Sequence, residues 1–193
     1  MPTLRELVVK NRSIRRFDSS RAVSIHTLRE LIDLARLSAT GANRQPLRFI
    51  PVCEPEWVEK VFPALSWAAY LRDWPGPAEG ERPAAYIVIL QDTEINKNPG
   101  VDHGIAAQSM LLGAVERGLG GCMIASIQRD DLRAALGIPA RYDILLVVAL
   151  GAPAEQVQIE PLGADGDIRY YRTPDGVHHV PKRALSDLIL MEH

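Results

Sequence analysis

The stretch DILLVVALG, residues 143–151, sets seven consecutive apolar side chains between an aspartate and a glycine. A bilayer takes about 20 apolar residues to cross, so this run has to be buried in protein instead. A second run, AAYIVILQ at 84–91, has the same character. Short continuous runs of this kind read as strands buried in a sheet core. The chain must therefore supply a sheet and enough helix to pack against it. Its 193 residues suffice for one such domain.

The remaining pattern supplies those helices. TLRE occurs at 3–6 and again at 27–30. Each fits a capping box, with Thr at N-cap and Glu three residues on. Leu4, Leu7 and Val8 follow the first at helical spacing; Leu28, Leu31, Ile32 and Ala35 follow the second. The flanking residues differ, so the pair is no internal repeat. LRFIPVC (47–53) reads as a strand, 54–62 as a short helix, 101–117 as a longer helix closed by Gly118, and GCMIAS (121–126) as a short strand. RDDLRAAL (129–136) is a helix stopped by Gly137 and Pro139. RYYR-TPDG-VHHV (169–180) has the form of a hairpin around Pro-Asp-Gly. WPGPAEGERP (74–83) is a loop, either a lid or plain surface. Hairpin-like and helix-linked strands mix, which predicts an α+β fold: a mostly antiparallel central sheet flanked by helices. No linker divides residues 1–193, so a single domain is expected.

Composition narrows the function classes. Lys and Arg number 22 against 24 Asp and Glu, and the pI near 6.2 lacks the basic field of a nucleic-acid binder. Cys53 and Cys122 belong to no C-x-x-C pair and read as buried free thiols of an intracellular chain. MPTLRELVVK carries charges at Arg5, Glu6 and Lys10 with no apolar segment, unlike a secretory signal. A cytoplasmic protein without membrane or nucleic-acid partners is expected.

Against this balance, NRSIRRF (11–17) packs three arginines into seven positions. Forked guanidinium donors beside the Ser13 hydroxyl suit phosphate oxygens, and a solvated turn accounts for the same residues. TGANRQP (40–46) offers amide donors and acceptors suited to a heteroaromatic edge, and ordinary loop chemistry explains it as well. VPKR (180–183) is a further basic pair, either solvated or converging on the same anion. GLGGCM (118–123) follows a helix and precedes a strand, the reverse of a dinucleotide-binding fingerprint. His178 and His179 are adjacent in a strand and point to opposite faces, so they do not share a metal; one packed and one exposed is expected. The acidic stretch 92–102 reads as a solvated turn rather than a calcium loop. There is no H-E-x-x-H and no P-loop.

Taken in order, these segments resemble the nitroreductase family of flavin-dependent oxidoreductases. RSIRRF (12–17) is similar to its R-S-x-R-x-F opening and NRQPLRF (43–49) to its N-x-Q-P-W-x-F segment. Residues 104–126 resemble its central helix running into a strand, and HHVPKR (178–183) a basic signature of compact members. The resemblance implies an α+β sandwich forming a homodimer with FMN at the interface. It implies that Arg12, Ser13 and Arg15 hold the ribityl phosphate and a flank of the ring, with Lys182 and Arg183 completing the phosphate site. Asn43 and Gln45, near Thr40 and Gly41, would reach the flavin of the partner chain. Backbone at Ile124, Ala125 and Ser126 would face N5, and Trp67, Tyr70 and Leu71 would wall the substrate side. Leu47 replaces a frequent Trp, and ASI (125–127) replaces a common Gly-Phe, which changes the pocket edge.

The implied activity is hydride transfer from NAD(P)H to FMN and on to nitroaromatic or quinone-type acceptors, by ping-pong. The flavin carries the chemistry while the protein supplies orientation and charge, so no catalytic side chain and no metal are expected. Arg15 could stabilise negative charge on reduced flavin. A specialised member (flavin-fragmenting or reductively dehalogenating) and a non-catalytic flavin-binding protein are the alternatives.

Overall fold

In a computed structural model describing residues 2–98 and 100–193, the DILLVVALG run becomes the middle of the longest strand and the axis of the fold. The elements run α1 (Leu4–Lys10), β1 (Phe17–Asp18), α2 (Ile25–Leu37), β2 (Leu47–Val52), α3 (Pro55–Val61), β3 (Ala85–Asp92), α4 (Asp102–Glu116), β4 (Gly120–Ile124), α5 (Arg129–Leu136), β5 (Tyr142–Pro153), β6 (Val157–Pro161), β7 (Tyr171–Arg172) and β8 (His178–Lys182). β5 pairs with β3, then with β4 and β1 near its end, and β2 closes the far edge beyond β3. Every pairing in this five-stranded sheet is antiparallel, as expected.

Both faces are covered. Tyr86, Val88 and Leu90 of β3 point to one side, into a core with Phe17, Val61, Leu132 and Ile138; Ala85, Ile87 and Ile89 point to the other, against Leu28, Leu31, Ala106 and Met110. This period-two alternation sends the β3 side chains from Ala85 to Leu90 into apolar surroundings on both faces, so that stretch shows no polar stripe. α2 and α4 form one covering layer, and α3 and α5 contribute to the other.

The helix ends hold one correction. The first TLRE is a true capping box: Thr3 Oγ1 accepts from the Glu6 N–H and Glu6 Oε2 from the Thr3 N–H. The second is not. α2 begins one turn earlier, at Ser24, whose hydroxyl accepts from the Thr27 N–H at 3.1 Å, and Glu30 turns instead to Arg117. Serine caps as well as threonine, and the earlier start adds a helical turn. Gly118 and Gly137 end α4 and α5 with φ of +73° and +63°, where a Cβ would be strained. No residue of α1 is buried, so Leu4 and Val8 remain exposed in the single chain.

Beyond β5 the chain builds a second sheet in the order β6-β8-β7. The hairpin forms as predicted, with Tyr171 opposite His179 and Arg172 opposite His178. The parallel pairing of β6 with β8 was not expected, and it fastens the hairpin to the end of β5. The 74–83 loop is tied down: the Phe17 N–H donates to Glu81 O at 2.9 Å, and the Glu81 carboxylate pairs with Arg16. Asp92 is wholly buried and paired with Arg141 and Arg48, while Asp102 accepts from the Gly41 N–H. Residues 93–98 between them form a mostly exposed turn, as expected, while the two end aspartates serve buried structural contacts. Pro99 lies outside the described residues. Both cysteines are free, Cys122 buried and Cys53 only partly so. Among the described residues no helix is long and apolar enough to cross a membrane.

Candidate functional site

The arginine segment runs between α1 and β1 and is fixed from three directions. Asn11 is buried and its Nδ2 donates to Gln108 of α4 at 3.3 Å. Ser13 bridges to Gly121 of β4, and the Ile14 N–H donates to Gly121 O at 2.9 Å. A Cβ on Gly120 would lie 2.7 Å from Ile14 Cγ1, so glycine there lets this segment close on the sheet. From the other side Glu155, with its side chain 1% exposed, accepts from the Arg15 N–H (2.5 Å), the Arg16 N–H (3.1 Å) and Arg172 Nη2 (2.9 Å).

The segment forms the wall of a cleft of about 270 Å³, into which Arg12, Ser13, Arg15 and Lys182 converge beside Gln108 and His178. No carboxylate lines it among the described residues. Arg12 is half-buried, with no counter-ion among the described residues. One donor goes to Val8 O at 2.9 Å, Nε has no partner, and burial alone pulls its pKa down. A buried unpaired guanidinium is costly and gains from an anion, so the cleft suits a phosphate.

A second hollow of about 180 Å³ continues from the first and shares Arg15, Met123 and Tyr170 with it. Ile124, Ala125 and Ser126 line it together with Trp67. Cys122 also lines it, its thiol pushed up by burial.

Other expected site residues lie elsewhere. Arg183 is exposed on an adjoining groove with Glu160 and Asp187, which shares Lys182 with the cleft but not Arg12 or Arg15. Tyr70 and Leu71 line a surface groove with Arg72 and Arg169, although Tyr70 also packs against Tyr170, with ring centroids 4.9 Å apart. Thr40, Gly41, Asn43 and Gln45 line neither part of the cleft. Their loop is anchored by Asp102 at Gly41 and holds Ala42, Asn43 and Gln45 at φ of 51–53°. Such conformations cost of order 1–3 kcal/mol each and concentrate at functional segments.

Sequence reasoning missed Tyr170, His178 and Glu155 as parts of the site. The His178–His179 pair was the visible signal. His178 is indeed buried, but His179 is not exposed: it stacks on Tyr171 and meets Glu160 at 3.0 Å. Burial, and then the neighbouring Arg15, push the His178 pKa down to about 4.

The family model for the nitroreductase family matches residues 8–152. The chain belongs to the nitroreductase family. It is 27% identical over 181 residues to an Archaeoglobus fulgidus protein provisionally named an NADH dehydrogenase/NAD(P)H nitroreductase, covering 90% of this chain and 95% of the relative. It is 28% identical over 178 residues to the NADPH-flavin oxidoreductase of Vibrio harveyi, covering 81% and 68%. Among solved structures, a nitroreductase family protein of Clostridium difficile 630 superposes with a TM-score of 0.63 at 25% identity, over 80% of this chain and 86% of that one. The nitroreductase fold is thereby shown, and the segment after residue 152 lies outside the family match.

Proposed function

We propose that this nitroreductase-family chain is an FMN-dependent NAD(P)H oxidoreductase acting on nitroaromatic or quinone-type acceptors. The observation that carries the reading is the convergence of Arg12, Arg15 and Lys182 on one cleft without a carboxylate, in a chain of net charge −2. Arg12, Ser13 and Lys182 would bind a terminal phosphate through charge-assisted hydrogen bonds. Arg15 stands where the two hollows meet and would place positive charge beside the ring. Trp67 and Tyr170 would wall the ring, with the end of β4 as its floor. When bound, FMN supplies the hydride-accepting and hydride-donating group. The names of the Vibrio harveyi relative and of an FMN-dependent nitroreductase from Clostridium difficile R20291 support this reading.

A homodimer fits two features of the single chain. Leu4 and Val8 of α1 and Leu185, Leu188, Leu190 and Met191 of the C-terminal segment are exposed and apolar, which marks contact surface. The strained loop bearing Asn43 and Gln45 has no role in its own cleft, and a two-fold partner would give it one. Sedimentation should show a dimer; a monomer that binds FMN tightly would refute the arrangement.

Reductant and acceptor would use the same hollow in turn. Purified protein should release FMN on heating, bleach anaerobically with NADH or NADPH, and give parallel double-reciprocal lines with an acceptor. Failure to bind FMN at high micromolar concentration would overturn the reading. Intersecting lines would overturn the shared hollow.

A further inference from the structure

The head of Arg15 is immobilised by neutral groups alone. Its Nη1 donates to Ser13 O at 3.3 Å and lies 3.4 Å from His178 Nε2, and its guanidinium sits 4.8 Å from the centre of the Tyr170 ring. Among the described residues no carboxylate oxygen lies within 4 Å of the guanidinium, whereas Arg16, Arg172, Arg169 and Arg141 each pair with one. Glu155 holds only the backbone of Arg15. Two of the three neutral contacts, His178 and Tyr170, come from the segment beyond the family match.

His178 suits this task. It is 1% exposed, and its Nε2 can accept from a guanidinium only as the neutral ring, which leaves the proton on Nδ1. Nδ1 has no partner among the described residues, so the approach at Nε2 is the polar contact of the ring there. Tyr170 is set in turn: the Tyr70 N–H donates to its hydroxyl at 3.3 Å, and its ring packs on His178 at 5.2 Å. A free arginine side chain loses about 2 kcal/mol of rotamer freedom when fixed, and here part of that ordering precedes any ligand. An ion pair would have fixed the arginine equally well and cancelled its charge.

We propose that His178 and Tyr170 are positioning residues that fix the Arg15 guanidinium with its charge uncompensated, and that this raises the preference of the site for reduced over oxidised FMN. The inference rests on the FMN reading above. Its physical basis is that a fixed, desolvated cation favours whichever form of the ligand carries more negative charge.

The test compares four variants. His178→Leu removes the acceptor and Tyr170→Leu the ring face; His178→Gln keeps an acceptor and Tyr170→Phe keeps the face. Affinity for oxidised FMN is read by fluorescence quenching, and the two-electron midpoint potential by anaerobic photoreduction against reference dyes. In the leucine variants reduced FMN should lose about tenfold more affinity than oxidised FMN does, a fall of about 30 mV in midpoint potential for a two-electron couple. The glutamine and phenylalanine variants should stay within about threefold on both measures. Unchanged potentials in the leucine variants, or glutamine and phenylalanine falling as far as leucine, would overturn the proposal. If His178→Leu does not fold, the Tyr170 pair decides alone. A parent protein that refuses FMN would overturn the preceding reading, and this one with it.

Discussion

Replacing Arg12 by methionine should separate stability from binding. The methionine keeps the alkyl stem and removes the guanidinium. The lost hydrogen bond to Val8 O, at the C-terminal end of α1, is worth about 0.5–1.5 kcal/mol. Against it stands the relief of a half-buried charge that has no carboxylate among the described residues and an unpartnered Nε. The two terms oppose, so the stability of the apoprotein should change by less than about 1 kcal/mol in either direction. Binding has no such compensation. A charge-assisted hydrogen bond to phosphate contributes about 1.5–3 kcal/mol, or about ten- to a hundred-and-fifty-fold in the FMN dissociation constant. Titration with riboflavin, which lacks the phosphate, provides the control and should give the same affinity in parent and variant. Equal losses for FMN and riboflavin would show that Arg12 shapes the cleft rather than holding the anion. No loss for either would make it a surface residue. A large fall in apoprotein stability would show that its role is structural.

Arg183→Ala should weaken FMN by no more than about threefold, because its side chain lies on an adjoining groove without Arg12 or Arg15; a loss matching that of Arg12→Met in the same titration would place it in the phosphate site. Gly121→Ala should cost about 3 kcal/mol in urea unfolding, near the upper end for overpacking, because the new Cβ would press on the Ala149 carbonyl with no room to shift. His178 is neutral in the fold, with a pKa of about 4 against 6.5 when unfolded, so the unfolded chain binds the extra proton between these values. Stability should therefore fall as pH drops from 6.5 to 4, by no more than about 3 kcal/mol from this residue, and His178→Gln should flatten the slope in unfolding curves taken across that window.

The sheet was legible because the middles of β3 and β5 sit between apolar layers on both faces, so their sequences need no alternation to declare them. α5 was legible to the residue because acidic residues open it and Gly137 closes it. The second TLRE misled because Ser24 offers an equivalent cap one turn upstream, and local sequence does not rank two good caps. β6 escaped because its partner β8 is some twenty residues away and parallel, a pairing that leaves no hairpin signal. The same distance separates what was read in the cleft from what was not. Arg12, Ser13 and Arg15 announce themselves within four positions. Glu155, Tyr170 and His178 acquire their roles only when the second sheet lays them against Arg15. Leu71 and Arg183 came from the family resemblance, and in the single chain they line other grooves.

The Glu155 clamp bears on how the protein is made. Once residue 153 has left the ribosome, every strand of the main sheet and every helix that covers it has been synthesised. The cleft at that moment still lacks Glu155, Tyr170, His178 and Lys182. A nascent chain would bury its core first and gain a place for the cofactor only when residues 155–182 fold back on the arginine segment. A chain interrupted in that interval would be a folded shell, competent in its hydrophobic core and unable to hold the group on which its chemistry depends.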